Sequence, residues 1–112
     1  MSEDVKYHKH PNGGGLVADT AYVDDTAYIG EHARVSGYAS VDENARVTGH
    51  AHVSGYARVY EDARVTGNAI VSGYAIVYGH AHVSGHAHVY GHARVTRNAI
   101  VYGYASVSGY AH

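Results

Sequence analysis

Apolar residues recur in a strict six-residue register along this chain. Alanine stands at every sixth position from Ala21 to Ala111, and a valine, replaced once by Ile29, follows two residues after each of the first fifteen. Two apolar positions separated by one polar position have the alternation of an extended strand, which excludes a helix. Each six-residue unit therefore predicts one short strand whose alanine and valine point to the same, buried face.

Turn residues separate these strands at the same interval. Glycine follows the valine by two positions in most units, often with Ser or Thr before it and Asn, His or Tyr after it. At one corner, which recurs every eighteen residues, the glycine position is filled by Asp25, Glu43, Glu61, Gly79 and Arg97, so that glycine stands there only once. Three units therefore make one coil. We predict an all-β, single-domain, three-sided parallel β-solenoid of about five coils, with strands about 4.8 Å apart.

The repeat resembles the hexapeptide-repeat family, in which an aliphatic residue is followed four positions later by a small one. Val65 with Ala69, and Val71 with Ala75, carry this pattern. The resemblance covers roughly residues 17–112 and implies a left-handed parallel β-helix, related distantly to hexapeptide acyltransferases and γ-class carbonic anhydrases. Glycine comes one residue later than in the family enzymes, which looks more like the alanine-anchored repeats of uncharacterised bacterial and phage proteins.

Composition and charge limit the remaining possibilities. Residues 1–16 match the repeat poorly and are interpreted as an N-terminal arm or cap, followed by the solenoid over 17–112.

The chain of 112 residues has no Phe, Trp or Cys, so its core consists of small side chains, and thiolate chemistry is excluded. No signal peptide or long apolar run is visible, and the formal net charge is −2. We expect a cytoplasmic protein that binds neither membrane nor long duplex nucleic acid.

Function must lie on the outward-facing side chains, because the interior of the tube is filled. One side, called the third side below, combines tyrosine, arginine and histidine. Its predicted ligand or interface residues are Tyr38, Tyr56, Arg58, Tyr60, Tyr74, Ile76, Tyr78, His92, Arg94 and Tyr110. These residue types favour an oligomer interface or a surface for an anionic, nucleotide-like ligand. The alternative is a tyrosine ladder that only stabilises the sheet.

Histidine is concentrated between residues 80 and 92. His80 and His82 fall on one side of the predicted tube, and His86 and His88 fall on the next side. One coil therefore does not bring them together, whereas a zinc site needs three or four converging ligands. We expect no metal and no cofactor. Zinc bound by these histidines with ligands from a second subunit, as the resemblance to γ-class carbonic anhydrases implies, is the alternative.

Acidic residues collect at one corner in three successive coils, the last time at Glu61-Asp62. Stacked carboxylates repel one another unless a cation compensates them. Arg64 follows two residues after Asp62, and Arg46 follows two residues after Asn44. We therefore expect these arginines to form surface ion pairs at the corner, in preference to a calcium site.

The last coil stops within a unit, so its strands are predicted to lack a pairing partner. Open solenoid ends invite strand addition. We expect a homo-oligomer, a dimer or a trimer, that forms through Tyr104, Tyr110 and His112 of this end, through the third side, or through both.

Two functions follow from these observations. The first is a non-enzymatic, oligomeric β-solenoid binding module; in one version it is a phage-type protein that sequesters an anionic nucleotide-like ligand or blocks a host protein, and so evades host defence. The second is a minimal trimeric hexapeptide acyltransferase with a histidine general base and acyl-coenzyme A. The loop insertion and C-terminal helix typical of the family enzymes are not visible here, which favours the binding module without catalytic residues.

Overall fold

The computed structural model describes residues 6–108 and is an all-β solenoid of about five stacked coils, each of about 18 residues. This architecture confirms the predicted fold class. The left-handed sense of the coil was expected from the family resemblance and stays a prediction. Across residues 6–108 there is no helix with the length and apolarity needed to cross a membrane.

The described residues contain seventeen short strands, most of them two residues long. They are β1 (Tyr7–Lys9), β2 (Leu16–Ala18), β3 (Tyr22–Val23), β4 (Tyr28–Ile29), β5 (Arg34–Val35), β6 (Ser40–Val41), β7 (Arg46–Val47), β8 (His52–Val53), β9 (Arg58–Val59), β10 (Arg64–Val65), β11 (Ile70–Val71), β12 (Ile76–Val77), β13 (His82–Val83), β14 (His88–Val89), β15 (Arg94–Val95), β16 (Ile100–Val101) and β17 (Ser106–Val107).

Three sheets form the walls of the tube. The first side contains β4, β7, β10, β13 and β16; the second contains β1, β2, β5, β8, β11, β14 and β17; the third contains β3, β6, β9, β12 and β15. Apart from β1, the strands pair in parallel with a register that advances by one coil, so that Arg58 lies beside Ile76. The eighteen-residue period of the corners is therefore confirmed as the length of one coil.

Backbone hydrogen bonds join each coil to the next. The amide of Arg58 donates to the carbonyl of Ala75 at 3.0 Å, and the amide of Tyr60 donates to the carbonyl of Val77 at 3.0 Å. Because all polar backbone groups of a buried wall need partners, this ladder fixes the register between the coils.

Alanine and valine fill the interior, as the six-residue pattern predicts. From Ala27 to Val89, every inward-facing alanine, valine or isoleucine of the repeat is at most 2% exposed. The core is open at the last described coil, where Val101 and Val107 are only partly buried. Tyr104, in the turn between β16 and β17, is 84% exposed.

The segment before the repeat folds onto the first coil. Strand β1 pairs antiparallel with β2, and the amide of Ile29 donates to the carbonyl of Asn12 at 3.0 Å. His10 is 2% exposed, and its Nε2 lies 2.9 Å from the carbonyl oxygen of Ala27. These contacts cover edges of the first and second sides. The domain boundary after residue 16 stays a prediction.

Corner glycines of successive coils lie backbone against backbone. Gly67 has φ 66°, and a Cβ built on it would lie 2.9 Å from the amide nitrogen of Gly85. At the corner that departs from the glycine rule, Glu43, Glu61 and Arg97 keep the same left-handed backbone, with φ of 59°, 62° and 55°. The corner conformation is thus retained where glycine is replaced.

We predict that Gly67→Ala destabilises the protein by about 1–3 kcal/mol more than Gly103→Ala, because it adds overpacking to the backbone strain. Gly103 is the matched control, since it has φ 69° but no atom within 4 Å of an added Cβ. Urea unfolding gives both free energies. Equal losses would show that backbone conformation alone requires glycine at these corners.

Candidate functional site

Two aromatic ladders run along the third side, parallel to the solenoid axis. The longer ladder stacks Tyr38, Tyr56, Tyr74 and His92, with ring centroids 5.3, 5.1 and 5.0 Å apart and ring planes within 10° of parallel. The shorter ladder consists of Tyr60 and Tyr78, whose centroids are 5.0 Å apart with an interplanar angle of 3°. The sequence prediction that these aromatic residues share one side is confirmed.

The coil repeat is the reason for the stacking. Side chains one coil apart repeat at about 4.8 Å, close to the contact distance of parallel rings. Within a ladder, the faces that neighbouring rings turn toward each other are therefore covered. Tyr56 and Tyr74 remain 53% and 54% exposed. A flat ligand has no space between rings that are already in contact.

Arg58, Ile76 and Arg94 lie between the two ladders, in β9, β12 and β15. The guanidinium carbon of Arg58 is 5.4 Å from the ring centroid of Tyr60. Burial raises the pKa of the Tyr60 hydroxyl, and the neighbouring Tyr78 adds to the increase, whereas Arg58 acts against it. The third side therefore presents aromatic edges around arginine side chains. Tyr110 and His112, also predicted at the site, lie outside the described residues.

Carboxylates occupy the other end of the third side. Burial raises the pKa of Asp42, with a further contribution from Asp24, and Oδ1 of Asp42 is buried without a hydrogen-bond partner among the described residues. Asp24 differs, because the Tyr22 hydroxyl and the Glu43 amide donate to its carboxylate and lower its pKa. Charge is thus divided along the solenoid axis, with carboxylates in the early coils and arginines in the later ones.

The acidic corner forms an open groove of about 670 Å³. Asp62 lies 3.8 Å from His80, and the Gly79 amide donates to the Glu61 carboxylate at 2.9 Å. The predicted ion pairs with Arg46 and Arg64 are wrong. Between residues 6 and 108, the carboxylates that lie within 4.0 Å of a basic side chain are Asp19, beside His8, and Asp62, beside His80, and neither arginine takes part. The arginines lie on the strand wall, about 6.6 Å from the corner along the chain.

The four histidines considered for a metal have separate surroundings. His80 faces Asp62, and the ring of His86 stacks on that of Tyr104 with centroids 4.9 Å apart. His82 and His88 contact hydroxyl groups of the preceding coil. No three His, Asp or Glu side chains of residues 6–108 are grouped so that they could hold one metal ion. Zinc shared between subunits stays untested.

A recurring histidine–hydroxyl contact was missed by the sequence analysis. Nε2 of His52 lies 3.0 Å from Ser36 Oγ, and His82 and His88 make the same contact with Thr66 and Ser72 at 3.2 and 3.3 Å. In each pair the histidine follows the hydroxyl residue by sixteen positions, a spacing that the sequence itself shows. No hydrogen bond within the described chain orients the other ring nitrogen, as a nucleophilic triad requires. These contacts link neighbouring coils.

We predict a pKa below the ordinary value of 6.5 for His52, because burial lowers it and the adjacent Arg34 lowers it further. In an NMR titration, Arg34→Gln should raise this pKa partway, since burial is the larger cause. Unfolded His52 takes up a proton at higher pH than folded His52. The contribution of neutral His52 to the free energy of unfolding is therefore complete above about pH 6.5 and decreases as the pH falls below that value.

The control for this prediction is His52→Gln, which should reduce the loss of unfolding free energy as the pH falls below about 6.5. A His52 pKa at or above its ordinary value, or no effect of Arg34→Gln, would contradict it.

Comparison with known proteins agrees with this architecture. Residues 57–73, 63–79 and 87–103 match the family model described as YdcK beta solenoid repeat. Neither a curated protein nor a solved structure matches the chain. The chain is thus a β-solenoid repeat protein, consistent with the hexapeptide-repeat-like β-helix that its sequence resembles.

Proposed function

We propose that this protein is a non-enzymatic binding module whose third side joins two copies of the chain. The observation that carries the proposal is the pair of exposed aromatic ladders with Arg58 and Ile76 between them. Sites for small molecules are usually concave and enclosed. The third side is instead a wall on which Tyr38 is 61% exposed, and such walls suit a protein surface better than a small ligand.

The residue types support a protein interface. Tyrosine and arginine are enriched in the centres of protein–protein interfaces and contribute strongly to affinity. Stacking fixes the rings of Tyr56 and Tyr74 before binding, and the Tyr60 ring lies against Arg58. Because these side chains are already ordered, less conformational entropy is lost when a partner docks on them.

The distribution of charge favours a second copy as the partner. A two-fold axis parallel to the strands, between β9 and β12, would set Arg58 of one copy against Ile76 of the other. It would also bring the Arg94 end of one wall to the Asp42 end of the second copy. Asp42 is partly exposed, so a guanidinium from the second copy could pair with its carboxylate.

An anionic, nucleotide-like ligand is the second candidate for the third side, because Arg58 lies between the ladders. Such a ligand would lie across the ring edges, since the stacked faces are covered. A phage-type role in blocking a host protein rests on the sequence resemblance alone. Titration calorimetry with mononucleotides tests the ligand: heat that disappears in Arg58→Gln would support it. Turnover of acetyl-coenzyme A would support the acyltransferase instead.

The dimer proposal predicts that Ile76→Arg weakens self-association at least tenfold, whereas Ile70→Arg leaves it unchanged. Both isoleucines occupy the same position of the six-residue unit, but Ile76 lies on the third side and Ile70 on the second. Light scattering and sedimentation at micromolar concentrations measure the effect. A monomeric wild-type protein, or equal effects of both substitutions, would overturn the proposal. Loss of the dimer in Tyr104→Arg alone would favour the last described coil as the interface.

The two-fold arrangement predicts a rescue by charge exchange. Arg94→Glu and Asp42→Lys should each weaken the dimer, because each substitution places two like charges face to face across the interface. The double variant should recover at least part of the lost affinity, as opposite charges meet again with their places exchanged. Purely additive losses would rule out this orientation of the two copies, while leaving the Ile76 result to decide on the third side itself.

A further inference from the structure

The first side places two arginines next to each other without an opposing charge. Arg46 in β7 and Arg64 in β10 are register partners on adjacent parallel strands, so their Cα atoms are about 4.8 Å apart. Both side chains are exposed. Like charges directly opposite each other destabilise a sheet, and this pair therefore needs a physical explanation.

Neither arginine is neutralised within the described chain. Asp62, the carboxylate closest in sequence to Arg64, lies 3.8 Å from His80 instead. The guanidinium carbon of Arg46 lies 5.1 Å from the ring centroid of Tyr28, which holds this side chain against the wall without compensating its charge. On its other edge, Arg64 is the register partner of His82, which provides no negative charge either.

Hydroxyl groups complete the surroundings of the two guanidinium groups. Arg46, Thr48, Arg64 and Thr66 line a groove of about 250 Å³. The Thr66 hydroxyl contacts Nε2 of His82 at 3.2 Å, whereas the Thr48 hydroxyl has no hydrogen-bond partner among residues 6–108 and is available as a donor. The groove therefore combines two forked cationic donors with a neutral donor, and its four lining residues include no acidic side chain.

We propose that this groove binds a tetrahedral oxyanion, either free phosphate or the phosphate group of a phosphomonoester. A guanidinium donates two parallel hydrogen bonds to such oxygens, and two guanidinium groups one coil apart can bridge one anion. The bound anion would also remove the repulsion between Arg46 and Arg64. This site lies on a different side from the proposed dimer surface, so either proposal can fail without the other.

The test is titration of the full-length protein with inorganic phosphate at constant ionic strength, followed by the Nε–Hε NMR signals of arginine. Saturable shifts should be largest for Arg46 and Arg64. Arg46→Gln and Arg64→Gln should each reduce the affinity at least tenfold, and Arg64→Lys should reduce it less, because the charge remains while the forked hydrogen bonds are lost. Phosphate should also raise the melting temperature of the wild type but not that of Arg64→Gln.

Arg34→Gln is the matched control. Arg34 occupies the same position of its strand as Arg46 and Arg64, and its guanidinium carbon also lies over a tyrosine, 5.5 Å from the ring centroid of Tyr7. Its register partner in the next coil, however, is His52 and not an arginine. This variant should bind phosphate like the wild type. Adenosine monophosphate serves as the second probe: tighter binding than phosphate indicates a phosphomonoester as the ligand, and equal binding indicates free phosphate. Unsaturable shifts, or equal losses in Arg34→Gln and Arg64→Gln, would overturn the proposal.

Discussion

The hydrogen-bonded ladder between coils is the constraint on which the rest of this structure depends. It holds residues eighteen positions apart at a separation of about 4.8 Å on every wall. Inside the tube, this separation suits alanine and valine, whose side chains are buried there in successive coils. At the corners it brings backbones so close that Gly67 and Gly85 have no room for a Cβ between them.

The same constraint decides the chemistry of the outer walls. Every side chain stands beside its equivalents in the coils before and after, so the surface consists of columns. Equal neighbours are favourable where the side chains are tyrosines, as Tyr56 and Tyr74 show with rings 5.1 Å apart. They are unfavourable where the side chains are Arg46 and Arg64. The stacking of Arg46 on Arg64 is therefore not explained by stability, whereas a column of rings has a purely structural explanation.

The sequence predicts the fold and the columns, because both follow from periodicity. The alanine and valine positions give the strands, the exceptional corner gives the coil length, and together they assign Tyr56, Arg58 and Tyr60 to one wall. What each side chain contacts depends on its rotamer and could not be predicted in this way. Asp62 therefore meets His80 instead of Arg64, and the burial of His10 depends on how the first segment folds back.

The fixed coil length has a consequence for how such a chain can change in length. Duplication of eighteen residues adds one coil to the tube and keeps all later side chains on the same walls. Insertion of a single residue within a coil would instead rotate every downstream column off its wall and turn buried positions outward. Addition of whole coils would extend the tyrosine ladders without altering the spacing of their rings. The length of the solenoid can therefore vary while its surface chemistry is preserved.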